Sequence, residues 1–160
     1  MRLVNFLTIV KEDSSDDLGT FVGARLTRDS VKNLSRWMKD EGIKKKVPNS
    51  KLHVTVILDK DKSFDHQPIK YDPPLEVDST TYRLERFDTK DGKGALVLVF
   101  SSPEFEKRHH DAKDEHSIQW DYLYYQPHIT LSYNNDQNIE DIRKPQFPIF
   151  IDKEYVEGSS

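Results

Sequence analysis

An α+β domain made of two related halves is the architecture that this 160-residue sequence predicts. Three observations carry the expectation. Short β-branched runs such as Leu52 to Leu58 and Ala95 to Phe100 are interspersed with two segments of helical character. The order strand, helix, strand occurs twice: Gly19 to Leu26, Asp29 to Glu41 and Leu52 to Leu58, then Ala95 to Phe100, Pro103 to Glu115 and His128 to Tyr133. Asp91-Gly92-Lys93-Gly94 is a hairpin turn, which implies antiparallel pairing of the runs on either side.

Each element has a local reason. Val4 to Val10 is β-rich and ends at the polar loop Lys11 to Asp17, after which Leu18 to Leu26 reads as a second strand. Val31, Leu34, Trp37 and Met38 recur at helical spacing, with Asp29 or Ser30 to cap the helix and Gly42 to end it. Lys44-Lys45-Lys46 and Val47-Pro48-Asn49 connect it to the strand Leu52 to Leu58. Ser63 to Pro74 carries three prolines and reads as an extended connection, followed by a strand over Leu75 to Phe87. Ser102 as N-cap and Pro103 at the first helical position start a second helix, whose apolar face is thin beyond Phe105 and Ala112. His128 to Tyr133 is a strand, Ile139 to Ile142 one helical turn and Phe147 to Ile151 a last strand. The chain therefore reads as one domain over residues 1–157 with a short flexible tail, Gly158 to Ser160.

Composition bounds the function. With 24 basic and 28 acidic residues the net charge is −4, and mean hydropathy is −0.78. The apolar residues nonetheless fall in periodic runs, so a modest core is expected rather than disorder. No run approaches the roughly 18–20 apolar residues of a membrane span, and the N-terminus lacks the pattern of a secretory signal. The absence of cysteine excludes disulfides and thiolate metal sites. A cytoplasmic monomer without cofactor or membrane partner is the expectation. The acidic balance argues against long nucleic acid, because phosphate neutralisation leaves a basic surface. A small anionic ligand in a local basic pocket remains compatible.

The chemistry concentrates in two matched segments, Leu52-His53-Val54-Thr55-Val56 and Pro127-His128-Ile129-Thr130-Leu131. Strand side chains alternate, so His53 and Thr55 share one face, as do His128 and Thr130. With six His and eight Thr in the chain, one His-x-Thr would arise by chance roughly 0.3 times, so two copies in apolar strands point to function. Cleaving a phosphodiester needs one group to take a proton from the nucleophile and another to protonate the leaving oxygen. Two imidazoles can share those tasks at neutral pH. Threonine hydroxyls on the same face can donate to the non-bridging phosphate oxygens, with no metal required.

These motifs, spaced along most of a small cysteine-free chain, resemble the 2H phosphoesterase superfamily. Within it the sequence is most similar to the phage anti-CBASS phosphodiesterases, which degrade the cyclic oligonucleotide signals of a bacterial defence system. Gly19 to Leu26, the lead-in Val47-Pro48-Asn49-Ser50-Lys51, and Tyr125 to Tyr133 carry that closer likeness. The resemblance implies two pseudo-symmetric lobes around a central cleft, with His53, Thr55, His128 and Thr130 as catalytic residues. It also implies a metal-independent cyclic-nucleotide phosphodiesterase acting in the host cytoplasm, and Phe21 as the aromatic that stacks on a substrate base. Arg25 lies on the same strand face, within reach of phosphate, and Tyr133 belongs to the pool of base-stacking aromatics.

Other clusters read more plainly. His109-His110-Asp111 and Glu115-His116 look like metal ligands, but adjacent helical positions diverge and Lys113 follows His109 by one turn, so a solvated face is expected. Lys44-Lys45-Lys46 reads as a solvated run that could steer an anion. Trp120, Tyr122, Tyr124 and Tyr125 read as core aromatics, with base stacking as the alternative. Two other functions stay open on sequence alone: an RNA-processing phosphodiesterase acting on 2′,3′-cyclic or 2′,5′-linked ends, and a non-catalytic module that sequesters cyclic nucleotides.

Overall fold

A computed structural model describes residues 19–89, 91–118 and 124–158 of the chain. The expected strand Val4 to Val10, the loop Lys11 to Asp17, Trp120, Tyr122, Ser159 and Ser160 lie outside the described residues. In chain order the elements are β1 (Thr20–Leu26), α1 (Arg28–Asp40), β2 (His53–Asp59), β3 (Lys70–Val77), β4 (Arg83–Phe87), β5 (Ala95–Val99), α2 (Pro103–Glu115), β6 (His128–Tyr133) and β7 (Ile149–Gly158).

Capping fixes both helices. At α1 the cap is Thr27, ahead of the expected Asp29 or Ser30: its Oγ1 accepts from the Ser30 amide at 3.3 Å. Ser30 is buried instead, and its hydroxyl accepts from the Phe150 amide at 2.8 Å. Gly42 follows the helix at φ +66°, the left-handed conformation that glycine adopts most easily. α2 begins as the sequence implies, with Ser102 Oγ accepting from the Phe105 amide at 3.2 Å and Pro103 in the first turn.

The described strands form one antiparallel sheet in the order β3-β7-β1-β2-β6-β5-β4. Two separate lobes are therefore not what the strands show. The halves are fused into a continuous sheet by the pairing of Val54 in β2 with Ile129 in β6. The duplication is nonetheless visible in the register. β7-β1-β2 on one side of that seam is matched by β4-β5-β6 on the other, with β3 added at one edge. In β1 and β2, Gly23 pairs with Thr55 and Val22 with Ile57, leaving Val56 as a bulge. In β5 and β6, Val97 pairs with Thr130 and Leu96 with Ser132, leaving Leu131 as the equivalent bulge.

Three sequence expectations change. The segment Leu75 to Phe87 is not one strand, because Asp78 caps a tight helical turn over Ser79–Thr81 and sends β3 and β4 to opposite edges of the sheet. Part of the Pro-rich connection is itself strand: β3 tolerates Pro73 and Pro74 because the ladder to β7 is interrupted between Lys70 and Leu75. The final strand runs to Gly158 instead of stopping at Ile151, so Gly158 is not tail. It pairs with Thr20, and a Cβ there would meet the Gly19 carbonyl oxygen at 2.3 Å.

Both helices pack on one face of the sheet. Leu34, Trp37 and Met38 of α1 and Phe105 and Ala112 of α2 join Val22, Ala24, Val54, Ile129 and Leu131 in the main core. By strand alternation the opposite face carries His53, Thr55, His128 and Thr130. A second apolar cluster, Phe87, Ala95, Val97 and Val99, lies on that opposite face beside β6. One buried charge braces the helix side. Glu154 of β7 accepts from Arg108 of α2 at 2.6 and 2.8 Å and bonds His66 at 2.9 Å. Burial raises the Glu154 carboxyl, but the hydrogen bonds from Arg108 and His66 outweigh it and hold the group below its ordinary range.

Candidate active site

The two motif strands are neighbours. Because β2 and β6 are antiparallel with Val54 opposite Ile129, His53 stands across from Thr130 and Thr55 across from His128. The two histidines are diagonal neighbours over this seam. All four expected catalytic residues are thus brought to one face.

Both imidazoles are anchored in the same way. Nδ1 of His53 lies 2.8 Å from the Lys51 carbonyl oxygen, and Nδ1 of His128 lies 2.9 Å from that of Gln126, two residues upstream in each case. A carbonyl oxygen only accepts, so Nδ1 carries the proton and donates. Nε2 of each ring is then the nitrogen left for proton transfer.

Their surroundings differ. His128 is buried, with Phe87 edge-on at 5.2 Å, and desolvation pulls its pKa down to about 4 against the opposing pull of the Gln126 bond. Its ring is neutral at pH 7. His53 is half-buried, with Phe21 edge-on at 5.5 Å. Thr55 is buried and Thr130 half-buried.

The face beside His53 has an aromatic floor. Arg25 pairs with His53 in the β1–β2 register, so the two share a face, and its guanidinium lies 4.2 Å over the Tyr155 ring. Phe21 lies 6.0 Å from the same ring. Gly23 makes this packing possible: a Cβ there would meet Tyr155 at 2.7 Å and Phe21 at 2.9 Å. Tyr155 is a site residue that sequence reasoning missed. Its signal is the alternation Lys153, Tyr155, Glu157, hidden by ending the last strand at Ile151. Tyr133 pairs with Ala95 and packs half-buried against the second apolar cluster, so it lies on the site face beyond Thr130. A cavity of about 900 Å³ opens at the free end of β7, lined by Phe64, His66, Lys70 and Lys153. Arg25 and Tyr155 join it to the site face, and none of the four motif side chains lines it.

Other candidates fall elsewhere. His109 is not on a solvated face: it is 1% exposed and donates from Nδ1 to the Val56 carbonyl at 2.7 Å. It stands one turn after Phe105 and one before Ala112, on the very stripe that α2 buries. Burial pulls its pKa to about 4, with the Val56 bond opposing. Among the described residues no group of three or more His, Asp or Glu side chains is arranged to hold a metal ion. Of the aromatic cluster, Tyr125 is buried, whereas Tyr124 is 65% exposed and not core. Lys44, Lys45 and Lys46 are exposed. Their backbone is held to the second half, with Ser132 Oγ donating to the Lys44 and Lys45 carbonyls and the Lys44 amide donating to Gln137 Oε1 at 2.7 Å.

Residues 18–159 match the family model of the anti-CBASS protein Acb1. The chain belongs to the Acb1 family. It is 31% identical over 160 residues to the anti-CBASS protein Acb1 of Vibrio phage KVP40, covering 98% of this chain and 93% of that protein. It is 32% identical over 145 residues to the Acb1 of Enterobacteria phage T4 and 31% identical over 149 residues to that of Salmonella phage S16, covering 87% of each chain in both cases. The Acb1 match includes both motif strands, β1 and β7, so the face just described lies wholly within the matched residues. No helix among the described residues is long and apolar enough to cross a membrane.

Proposed function

We propose that this Acb1-family protein is a metal-independent phosphodiesterase that opens 3′,5′-linked cyclic di- and trinucleotides, removing the signals of CBASS defence in the host cytoplasm. The observation that carries the reading is the pair of His-x-Thr strands joined at Val54 and Ile129, with both rings anchored through Nδ1. Both motifs come from one chain, so a monomer suffices.

The ribose 2′-OH adjoining the scissile linkage attacks phosphorus. His128, held neutral by burial, takes the hydroxyl proton on Nε2. His53, on the opposite diagonal, enters the step as imidazolium with Nδ1 still on the Lys51 carbonyl, and gives its Nε2 proton to the departing 5′-oxygen as the P–O5′ bond breaks. The product is a linear nucleotide ending in a 2′,3′-cyclic phosphate. Water then opens that ring with the two histidines in exchanged roles. Thr55 and Thr130 donate hydrogen bonds to the non-bridging oxygens as charge develops on them. Phe21 and Tyr155 offer a surface for a base, and Arg25, lying over Tyr155, offers a cation to a phosphate. Tyr133 flanks the other end.

The test incubates the purified chain with 3′,3′-cyclic dinucleotides, cyclic trinucleotides and linear RNA ends in EDTA, following products by mass. Cleavage of cyclic substrates that is lost in His53→Ala and in His128→Ala is the expected result. Processing of RNA ends with intact cyclic nucleotides would move the chain to RNA processing. Binding of cyclic nucleotides without turnover would make it a sequestering module.

A further inference from the structure

β2 and β6 share only the Val54–Ile129 bridge. Beyond it the ladder opens, and the backbone carbonyls of both bulges need other partners. In the second half the Leu131 carbonyl accepts from a backbone amide, that of Val47, at 2.8 Å. In the first half the equivalent carbonyl, Val56, accepts from a side chain, His109 Nδ1, at 2.7 Å. The Thr55 carbonyl beside it accepts from the Tyr125 hydroxyl at 2.6 Å. The His109 and Tyr125 rings are stacked, with centroids 4.2 Å apart and 9° between planes. Each ring restrains the other, and both are buried. Tyr125 also immediately precedes Gln126, whose carbonyl orients His128.

We infer that the stacked Tyr125–His109 pair is a positioning device of the second half that sets the place of Thr55 in the first half, coupling the two motifs. This rests on the catalytic reading above. Both rings bond backbone carbonyls of the β2 bulge, so the pair acts through that backbone. Its effect falls on the phosphate-holding hydroxyl of Thr55, not on base binding. Misplacement of a catalytic group by a fraction of an ångström slows the chemical step and leaves substrate affinity nearly unchanged.

The test uses Tyr125→Phe, which keeps the ring on His109 and removes only the hydroxyl. Expected is a fall of about tenfold in kcat with KM within about twofold. The fall should vanish in a Thr55→Ala background and persist in a Thr130→Ala background, since only the first removes the group being positioned. An equal fall in both backgrounds, no fall at all, or a rise in KM alone would overturn the inference. A second readout needs no turnover: the Thr55 methyl resonance should move in Tyr125→Phe while that of Thr130 holds, and movement of both or neither overturns it. If the unmodified chain cleaves no cyclic nucleotide, the catalytic reading fails, and the methyl shifts still decide the positioning.

Discussion

Beside the first motif, β1 presents Phe21, Gly23 and Arg25 to the site face, whereas the equivalent positions of β5 beside the second are Ala95, Val97 and Val99. The next strand out offers Tyr155 opposite Gly23 and Glu85 opposite Val97. The motif backbones are alike down to the bulge after each threonine. The duplicated scaffold therefore fixes where the histidines and threonines stand, while the neighbouring strands fix what surrounds them. An aromatic and cationic floor beside His53 suits a nucleotide base and phosphate. An apolar bed around His128 removes water from its ring and lowers its pKa, which suits the proton-accepting role proposed for it.

The largest test of that division removes each imidazole. His53→Ala and His128→Ala should each lower kcat by roughly 10²–10⁴, measured by mass or nucleotide release, and a loss below tenfold in either would break the two-histidine scheme. Thr55→Ala and Thr130→Ala should follow at roughly 10²–10³, read in the same assay.

Making the first half like the second sharpens the comparison. Gly23→Val places the Val97 side chain where Tyr155 and Phe21 close together. The floor is displaced, and KM for a cyclic dinucleotide should rise about tenfold, the size of one lost base stack. An unchanged KM would mean the base lies elsewhere. Making the second half more polar tests the proton assignment. Val99→Thr puts a hydroxyl opposite His128, which should raise its pKa from about 4 toward 6.5. The acid limb of kcat/KM should then move to higher pH, because the base must be neutral to act. A limb that stays in place would assign the base to His53.

The smallest effect is on stability. His109 and His128 both have folded pKa values lowered to about 4, below the ordinary 6.5, so between those values the unfolded chain binds more protons. Stability should be complete above about pH 6.5 and fall as pH drops toward 4, seen as a falling urea midpoint. His109→Gln should flatten that fall, whereas His110→Gln, at an exposed position, should not.

Much of this arrangement is legible in the sequence. The paired motifs, the hairpin at Asp91 to Gly94 and the Ser102-Pro103 helix start are local signals, and local physics decides them. β7 is less legible because Asp152, Lys153 and Glu154 interrupt its alternation. Glu154 can be buried because Arg108, distant in sequence, neutralises it and His66 bonds it. His109 is obscured in the same way, since a histidine on a charged helix looks solvated until the opened β2 ladder supplies a carbonyl for it. Fusion of the halves into one sheet depends on a single bridge, and no composition or spacing announces it.

The place of β7 between β1 and β3 has a consequence for how the protein is made. β1, β2 and β3 are synthesised early, yet β1 and β3 touch only through a strand that comes last among the described elements. At ordinary rates of synthesis, β7 follows β2 by roughly 5–20 s. Through that interval the nascent chain carries the edge of β1 without its later neighbour, and such edges recruit other strands. The second half, β4 to β6 with α2, is contiguous and can assemble first. Chaperone dependence during translation should therefore track the first half, and moving β7 ahead of β1 by circular permutation should relieve it.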